Sequence, residues 1–352
     1  MDLRRGSAEP LCFLHVGTHK TGTTAIQRFL AGNRERLALD GLYYPRAGWL
    51  NDDLPGHHNV ASELSGDGRF DRAAGTLADV VGEIARVRPR NACLSSENFE
   101  YLHVRDDALV TLRDAIVAIG YQPRVVLYVR TQHDYATSLY AELVKHGMQV
   151  PFAGFLDDVV ANGVVRYGRA WTFRFDYLEL ASRFANVFGP KSVIVRAYRD
   201  DGSAGSIVHD FLAAIGFDDA PADGAEPAYE NVRLTTGGVI GQLFRNVADD
   251  LNDARIADAG ADLITRHARD ASEPFHPLST RAAARLSARF AGDNARLIER
   301  WPAAAGITNR RRAIRLESER AQSARRLFEH AESLRSRFVA DAQRARGAVS
   351  AG

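Results

Sequence analysis

An α/β fold with a central, mostly parallel sheet is what this sequence predicts, and three observations carry that expectation. Short apolar runs of strand length alternate with segments of helical periodicity through residues 11–216. The first of those runs opens into a glycine-bearing loop and then a helix. Residues 217–302 are mainly helical, and an Arg- and Glu-rich helical tail occupies 303–352. The expected organisation is one domain over 1–302, containing the 11–216 core, followed by the tail.

The elements follow in chain order. Leu11 to Val16 is a short apolar run that reads as a buried strand, and Ala25 to Leu30 carries apolar residues at helical spacing. Leu42 to Pro45 reads as a short second strand. Residues 46–68 are rich in Gly, Asn, Asp and His and read as a long surface loop with one helical turn near Ala61–Leu64. Residues 70–88 are periodic. Asn91 to Ser96 is a strand ending at Glu97, and Asp106 to Ile119 is a helix with Asp106 or Asp107 as N-cap and Gly120 as its stop. Arg124 to Val129 is the most strand-like run and leads into Arg130 and a helix over about 133–146. Helices follow at 152–161 and 176–187, then a Gly189-Pro190 turn, a strand at 192–195 and a helix near 206–215. Asp218 to Pro227 is a polar loop, and 234–300 is mainly helical. In the tail, Ala324, Phe328, Ala331, Leu334 and Phe338 fall on one helical face, an apolar stripe for the domain itself or for a homodimer contact.

Composition bounds the function. The chain has 352 residues, 45% hydrophobic and 25% charged, and a net charge of +1. Such a near-neutral balance speaks against a wholesale grip on nucleic acid or an anionic membrane. No run approaches the 18 or so apolar residues of a membrane span. Two cysteines, Cys12 and Cys93, form no disulfide framework and no zinc spacing, and residues 1–10 lack the apolar core of a signal peptide. These features predict a soluble cytoplasmic protein. Only Lys20, Lys145 and Lys191 are lysines; the other 42 basic residues are arginines. A lysine kept in a glycine loop under that bias stands out.

The loop reads Gly17-Thr18-His19-Lys20-Thr21-Gly22-Thr23-Thr24. Strand, glycine loop and helix together present backbone N–H groups and a helix N-terminus to a phosphate. In the nucleotide-hydrolysing version, G-x-x-x-x-G-K-[ST], lysine follows the second glycine. Here Thr23 holds that position and Lys20 lies inside the loop, placed for the outer end of a shorter, diphosphate-like group.

His19 to Thr24 resembles the 5′-phosphosulfate loop of sulfotransferases that use 3′-phosphoadenosine 5′-phosphosulfate (PAPS). That family binds the 3′-phosphate with an arginine at a strand end and a serine eight residues later; Arg130 and Ser138 match that spacing. Weaker similarity reaches Asn231–Leu234 and Phe290–Leu297. The resemblance implies a P-loop NTPase-like three-layer fold. It also implies transfer of the sulfuryl group of PAPS, without a metal, to a hydroxyl or an amine of a carbohydrate or small metabolite, releasing adenosine 3′,5′-bisphosphate. Lys20 would stabilise the moving group, and His19, Lys20, Thr21, Gly22, Thr23, Thr24, Arg130 and Ser138 would hold the donor. The family's base is a glutamate or histidine just past a central strand, a place Glu97 fits. His57 and His58 in the polar loop, and His103, an expected surface residue, are rival acceptor-side positions. The alternatives are a P-loop kinase or NTPase, and a nucleotide-binding protein of the same fold without turnover.

Overall fold

The computed structural model describes residues 9–199, 204–217, 235–308 and 318–350. The 218–227 loop and Asn231–Leu234 lie outside the described residues. The chain divides into two compact units. The first comprises Met1–Thr131, Gly163–Glu230 and Phe290–Thr308; the second comprises Gln132–Asn162, Asn231–Arg289 and Asn309–Gly352.

The first unit is built on five parallel strands. They are β1 (Leu11–His15), β2 (Leu42–Tyr43), β3 (Asn91–Ser95), β4 (Gln122–Val129) and a later strand, Val193–Ala197. Their order across the sheet is β2, β3, β1, β4 and the later strand, so β1 is central. Leu11 aligns with Asn91 on one side and Gln122 on the other. Both faces are buried, which is why these strands read as continuous apolar runs. Phe13, Cys93, Val126 and Tyr128 point to one face. There they meet Ile26 and Phe29 of α1 (Thr23–Gly32) and Ile207 and Phe211 near Ala204–Ala214. The alternate set, Leu14, Leu94, Val125 and Leu127, is wholly buried as well. Two further helices pack on the sheet, Asp106–Ala118 and Tyr177–Phe188, both against β4. The sheet is thus flanked by helices, in the α/β architecture that the strand-helix alternation predicts.

Between β1 and β4 the chain adds α2 (Arg34–Leu39), α3 (His58–Ser65), α4 (Leu77–Val87) and α5 (Asp106–Ala118). Thr76 and Asp79 cap α4 reciprocally. In α5 the N-cap position is Arg105, and Asp106 and Asp107 lie in the first turn, where carboxylates suit the helix dipole. Residues 46–68 depart from the expected surface loop. His57, Asn59, Val60 and Ala61 are fully buried, and α3 extends beyond one turn. The reason is local satisfaction of polar groups. Asn59 donates to the carbonyls of Asp71 and Gly75, each at 2.7 Å, and accepts from the Asp71 N–H.

A hairpin that the sequence pattern does not predict, β5 (Val164–Tyr167) and β6 (Trp171–Arg174), pairs antiparallel. Four-residue strands are too short to show a period, and the signal is Gly168 in the left-handed region at φ 61. After α8 (Tyr177–Phe188) and β7 (Val193–Ala197), α9 is Ala204–Ala214. Against β7 packs the 3₁₀ segment Pro302–Thr308, and the Trp301 indole N–H donates to the Val193 carbonyl at 3.0 Å.

The second unit is helical. It holds α6 (Gln132–Lys145), α7 (Phe152–Asn162), α10 (Thr236–Leu251), α11 (Ala254–Arg266), α12 (Ala268–Ala271), the start of α13 (Thr280–Arg300) and α14 (Glu319–Ser350). Tyr140 sits at its centre among Phe152, Phe155, Phe275 and Phe328. Its hydroxyl lies 3.0 Å from Glu332, which also accepts the Phe152 N–H at 2.7 Å. The tail helix α14 packs on α10 and α12, burying Ala324, Leu327, Phe328 and Ala331. Leu334 and Phe338 are half-buried, Phe338 against Phe244. The apolar stripe read from the sequence is therefore used within the chain.

Candidate functional site

The glycine loop leaves β1 at the carboxyl edge of the sheet, where open α/β sheets bind their ligands. Pairing with β4 continues into it: the Val16 N–H donates to Val126 O at 2.9 Å and the Thr18 N–H to Tyr128 O at 2.8 Å. The chain then turns through three left-handed residues, Gly17 (φ 54), Lys20 (φ 66) and Gly22 (φ 79). A Cβ on Gly22 would come within 3.1 Å of Tyr198 and 3.2 Å of Ile207, so the close packing of the loop requires glycine there. Lys20, a non-glycine in that region, is strained. The strain is held by Arg130, the residue after β4, which donates from Nη1 to the Lys20 carbonyl at 2.6 Å. The Thr21 hydroxyl braces the loop from inside, donating to Thr18 O at 2.6 Å.

Three features suit this loop to an anion. No side chain caps α1 at Gly22, which leaves first-turn N–H groups to a ligand or solvent. The hydroxyls of Thr18 and Thr23 are buried without a hydrogen-bond partner. Lys20 is exposed at the crest, and Thr24 is half-buried at the helix start. The chemistry of this donor set, amides, hydroxyls and one ammonium, fits a phosphate or sulfate group.

His19 is anchored from the neighbouring segment. Its backbone N–H and its Nδ1 lie 3.2 and 3.0 Å from Glu100 Oε2. Its Nε2 lies 2.8 Å from the Tyr101 hydroxyl, and its ring stacks on Tyr101 with centroids 5.0 Å apart. Tyr101 stacks in turn on Trp171 of β6, and Arg69 covers Trp171. Glu100 is fully buried and also accepts the Arg174 N–H at 3.1 Å. Sequence reasoning missed Glu100; its available signal was a second carboxylate three residues beyond Glu97.

Glu97 opens the 3₁₀ segment Glu97–Val104 directly after β3. Gln27 of α1 donates to its Oε2 at 3.1 Å, and His58 Nδ1 lies 3.8 Å from the same oxygen. Burial alone would raise the carboxyl's pKa, but His58, His19 and the Gln27 hydrogen bond outweigh it, so it lies below its ordinary value. Glu97 is therefore a carboxylate at neutral pH.

The histidines divide differently from expectation. His57 is fully buried: it accepts the Ser95 N–H at 3.1 Å and returns its own backbone N–H to Ser95 O. His103, expected at the surface, is fully buried with Nδ1 2.6 Å from the Glu100 carbonyl. His58 keeps 8% exposure and bonds Ser96 Oγ at 2.9 Å. Burial depresses the pKa of His57 to about 3 and those of His103 and His15 to about 4. Each is neutral in the folded chain at pH 7 and has an ordinary value of 6.5 when exposed. The unfolded chain thus binds more protons, so stability is full above pH 6.5 and falls as pH drops toward 4. Urea unfolding between pH 7 and pH 4 should show this decline, with a slope of up to ~1.4 kcal/mol per pH unit for each histidine.

Tyr44 and Trp49 are buried in the core, and the Tyr43 hydroxyl donates to Glu83 at 2.6 Å. Arg130 is 8% exposed and lies over the Tyr198 ring. Ser138 is half-buried on α6, in the second unit. An open cleft of about 540 Å³, lined by Arg46, Trp49, Asn51, Glu83 and Arg86 among others, contains none of the candidate residues. Among the described residues no helix is long and apolar enough to cross a membrane.

No family model and no curated protein matches the chain. Among known structures, a sulfotransferase from Alicyclobacillus acidocaldarius is similar at 17% identity and a TM-score of 0.38, over 72% of this chain and 96% of that one.

Proposed function

We propose that the chain is a sulfotransferase that moves the sulfuryl group of PAPS to a hydroxyl of a carbohydrate or small metabolite. The observation that carries the reading is the loop: an uncapped helix N-terminus, two unpartnered threonine hydroxyls and an exposed lysine set before the second glycine. PAPS supplies the activated sulfuryl group. The N–H groups of Gly22 to Thr24 and the Thr23 hydroxyl hold its 5′-phosphate. Lys20 Nζ offsets the negative charge that grows on the departing phosphate oxygen as its bond to sulfur breaks. Glu97 accepts the proton of the acceptor hydroxyl as the new O–S bond forms. Arg130 carries over from the family pattern as a 3′-phosphate ligand, while also bracing Lys20. Thr23, in place of the lysine that grips a nucleoside triphosphate, disfavours the kinase reading.

Calorimetric titration tests this directly. Adenosine 3′,5′-bisphosphate should bind at least ~10-fold more tightly than ATP with Mg²⁺, since the loop lacks the triphosphate lysine. A preference for ATP would sink the proposal. Turnover of labelled PAPS with a panel of hydroxyl acceptors then separates an enzyme from a silent binder.

A further inference from the structure

We propose that Gln27, His58 and Gly56 form a cradle that positions the Glu97 carboxylate, an inference that rests on reading Glu97 as the base. The sides come from two segments, α1 and the stretch 56–58 that opens α3. Gln27, on the second turn of α1, donates Nε2 to Glu97 Oε2 at 3.1 Å. His58, the first residue of α3, stands with Nδ1 3.8 Å from that oxygen and 2.9 Å from Ser96 Oγ, beside Glu97 in the chain. Gly56 backs both. A Cβ there would lie 2.6 Å from His58 Nε2 and 2.8 Å from both Cδ and Nε2 of Gln27.

Gly56 cannot retreat to make room. The Tyr44 hydroxyl donates to the Pro55 carbonyl at 2.7 Å. On the other side His57 is locked to β3, donating its N–H to Ser95 O at 2.7 Å and accepting the Ser95 N–H at 3.1 Å. The glycine is held between two anchored neighbours, with the Gln27 amide and the His58 ring pressed against it. Because the first turns of α1 also present the phosphate-binding N–H groups, Gln27 ties the position of the base to the helix that would grip the donor. The ionisable groups that act on or feel Glu97 are His58 and His19, His15 on the adjacent strand β1, and the hydroxyls of Tyr44 and Tyr101. These are positioning residues, since each acts through Glu97.

The test uses the full chain and two readouts. Gln27→Met keeps the side-chain length and removes the donor. Its kcat should fall on the order of 10- to 100-fold while affinity for adenosine 3′,5′-bisphosphate is unchanged. The Glu97 titration, followed by carboxyl ¹³C NMR, should move upward by up to about one unit, because a hydrogen bond to the charged form is lost. Gly56→Ala should shift the titration and kcat in the same direction. Adding Gln27→Ala to it should cost less than the sum of the two, because the smaller residue leaves room for the methyl. An unmoved Glu97 titration in Gln27→Met overturns the cradle, even if Gly56→Ala fails to fold. Full transfer by Glu97→Gln, or none by the unaltered chain, overturns the base assignment instead, and the NMR titration still reports on the cradle.

Discussion

Lys20→Ala should lower transfer from labelled PAPS by ~10²- to 10³-fold, the usual consequence of removing one charge-stabilising donor from a reaction whose transition state carries spread negative charge. Affinity for adenosine 3′,5′-bisphosphate should fall less, because the α1 N–H groups and the threonine hydroxyls stay in place. Lys20→Arg should not restore the rate. A broad planar fork cannot follow a moving group around a tight crest as a compact ammonium on a flexible stem can. The left-handed backbone at Lys20 supplies a control. Lys20→Gly relieves the steric part of that conformation, so the variant should melt no lower than the parent while losing transfer. Steady-state kinetics beside thermal melts separates the two effects. Equal loss of stability and activity would mean that Lys20 only shapes the loop.

Glu97→Gln should lower transfer by ~10²- to 10⁴-fold with bisphosphate binding nearly intact, the range expected for loss of a general base. The pH profile carries the sign. Burial pushes this carboxyl up, while His58, His19 and the Gln27 hydrogen bond pull it further down, to below its ordinary value of 4.5. The base form is the carboxylate, so turnover should stay flat from neutral pH down toward 4.5 and decline only below it. A profile that instead falls above 4.5 but below 6.5 would point to a histidine base, and His58, which burial holds below its ordinary 6.5, would be the one to replace. His57 and His103 are poorer candidates, since both are fully buried.

The sheet strands and the loop were legible because their signals are local. β1, β3 and β4 are buried on both faces, which forces continuous apolar runs such as Arg-Val-Val-Leu-Tyr-Val at 124–129. The loop announces itself through two glycines whose positive φ other residues avoid. Lys20 and Glu97 could be singled out the same way, each in the segment that follows such a strand. The hairpin β5–β6 and the burial of residues 57–61 were not legible. Four-residue strands carry no period, and the polarity of His57 and Asn59 reads as exposure until their partners, Ser95, Asp71 and Gly75, are seen to satisfy them.

By itself the sequence determined the parallel α/β core, the glycine loop with its lysine before the second glycine, and the apolar stripe of the tail. All three follow from spacing within about a dozen residues, which backbone geometry alone converts into a face or a turn. Only the tertiary structure decided that Glu100 anchors His19 across 81 residues, that Gln27 reaches Glu97 across 70, and that the tail stripe is covered by α10 and α12. Those pairings depend on which strand lies beside β1 and which segment folds over its end. Side-chain hydrogen bonds act only within about 3 Å, so no pattern along the chain records them.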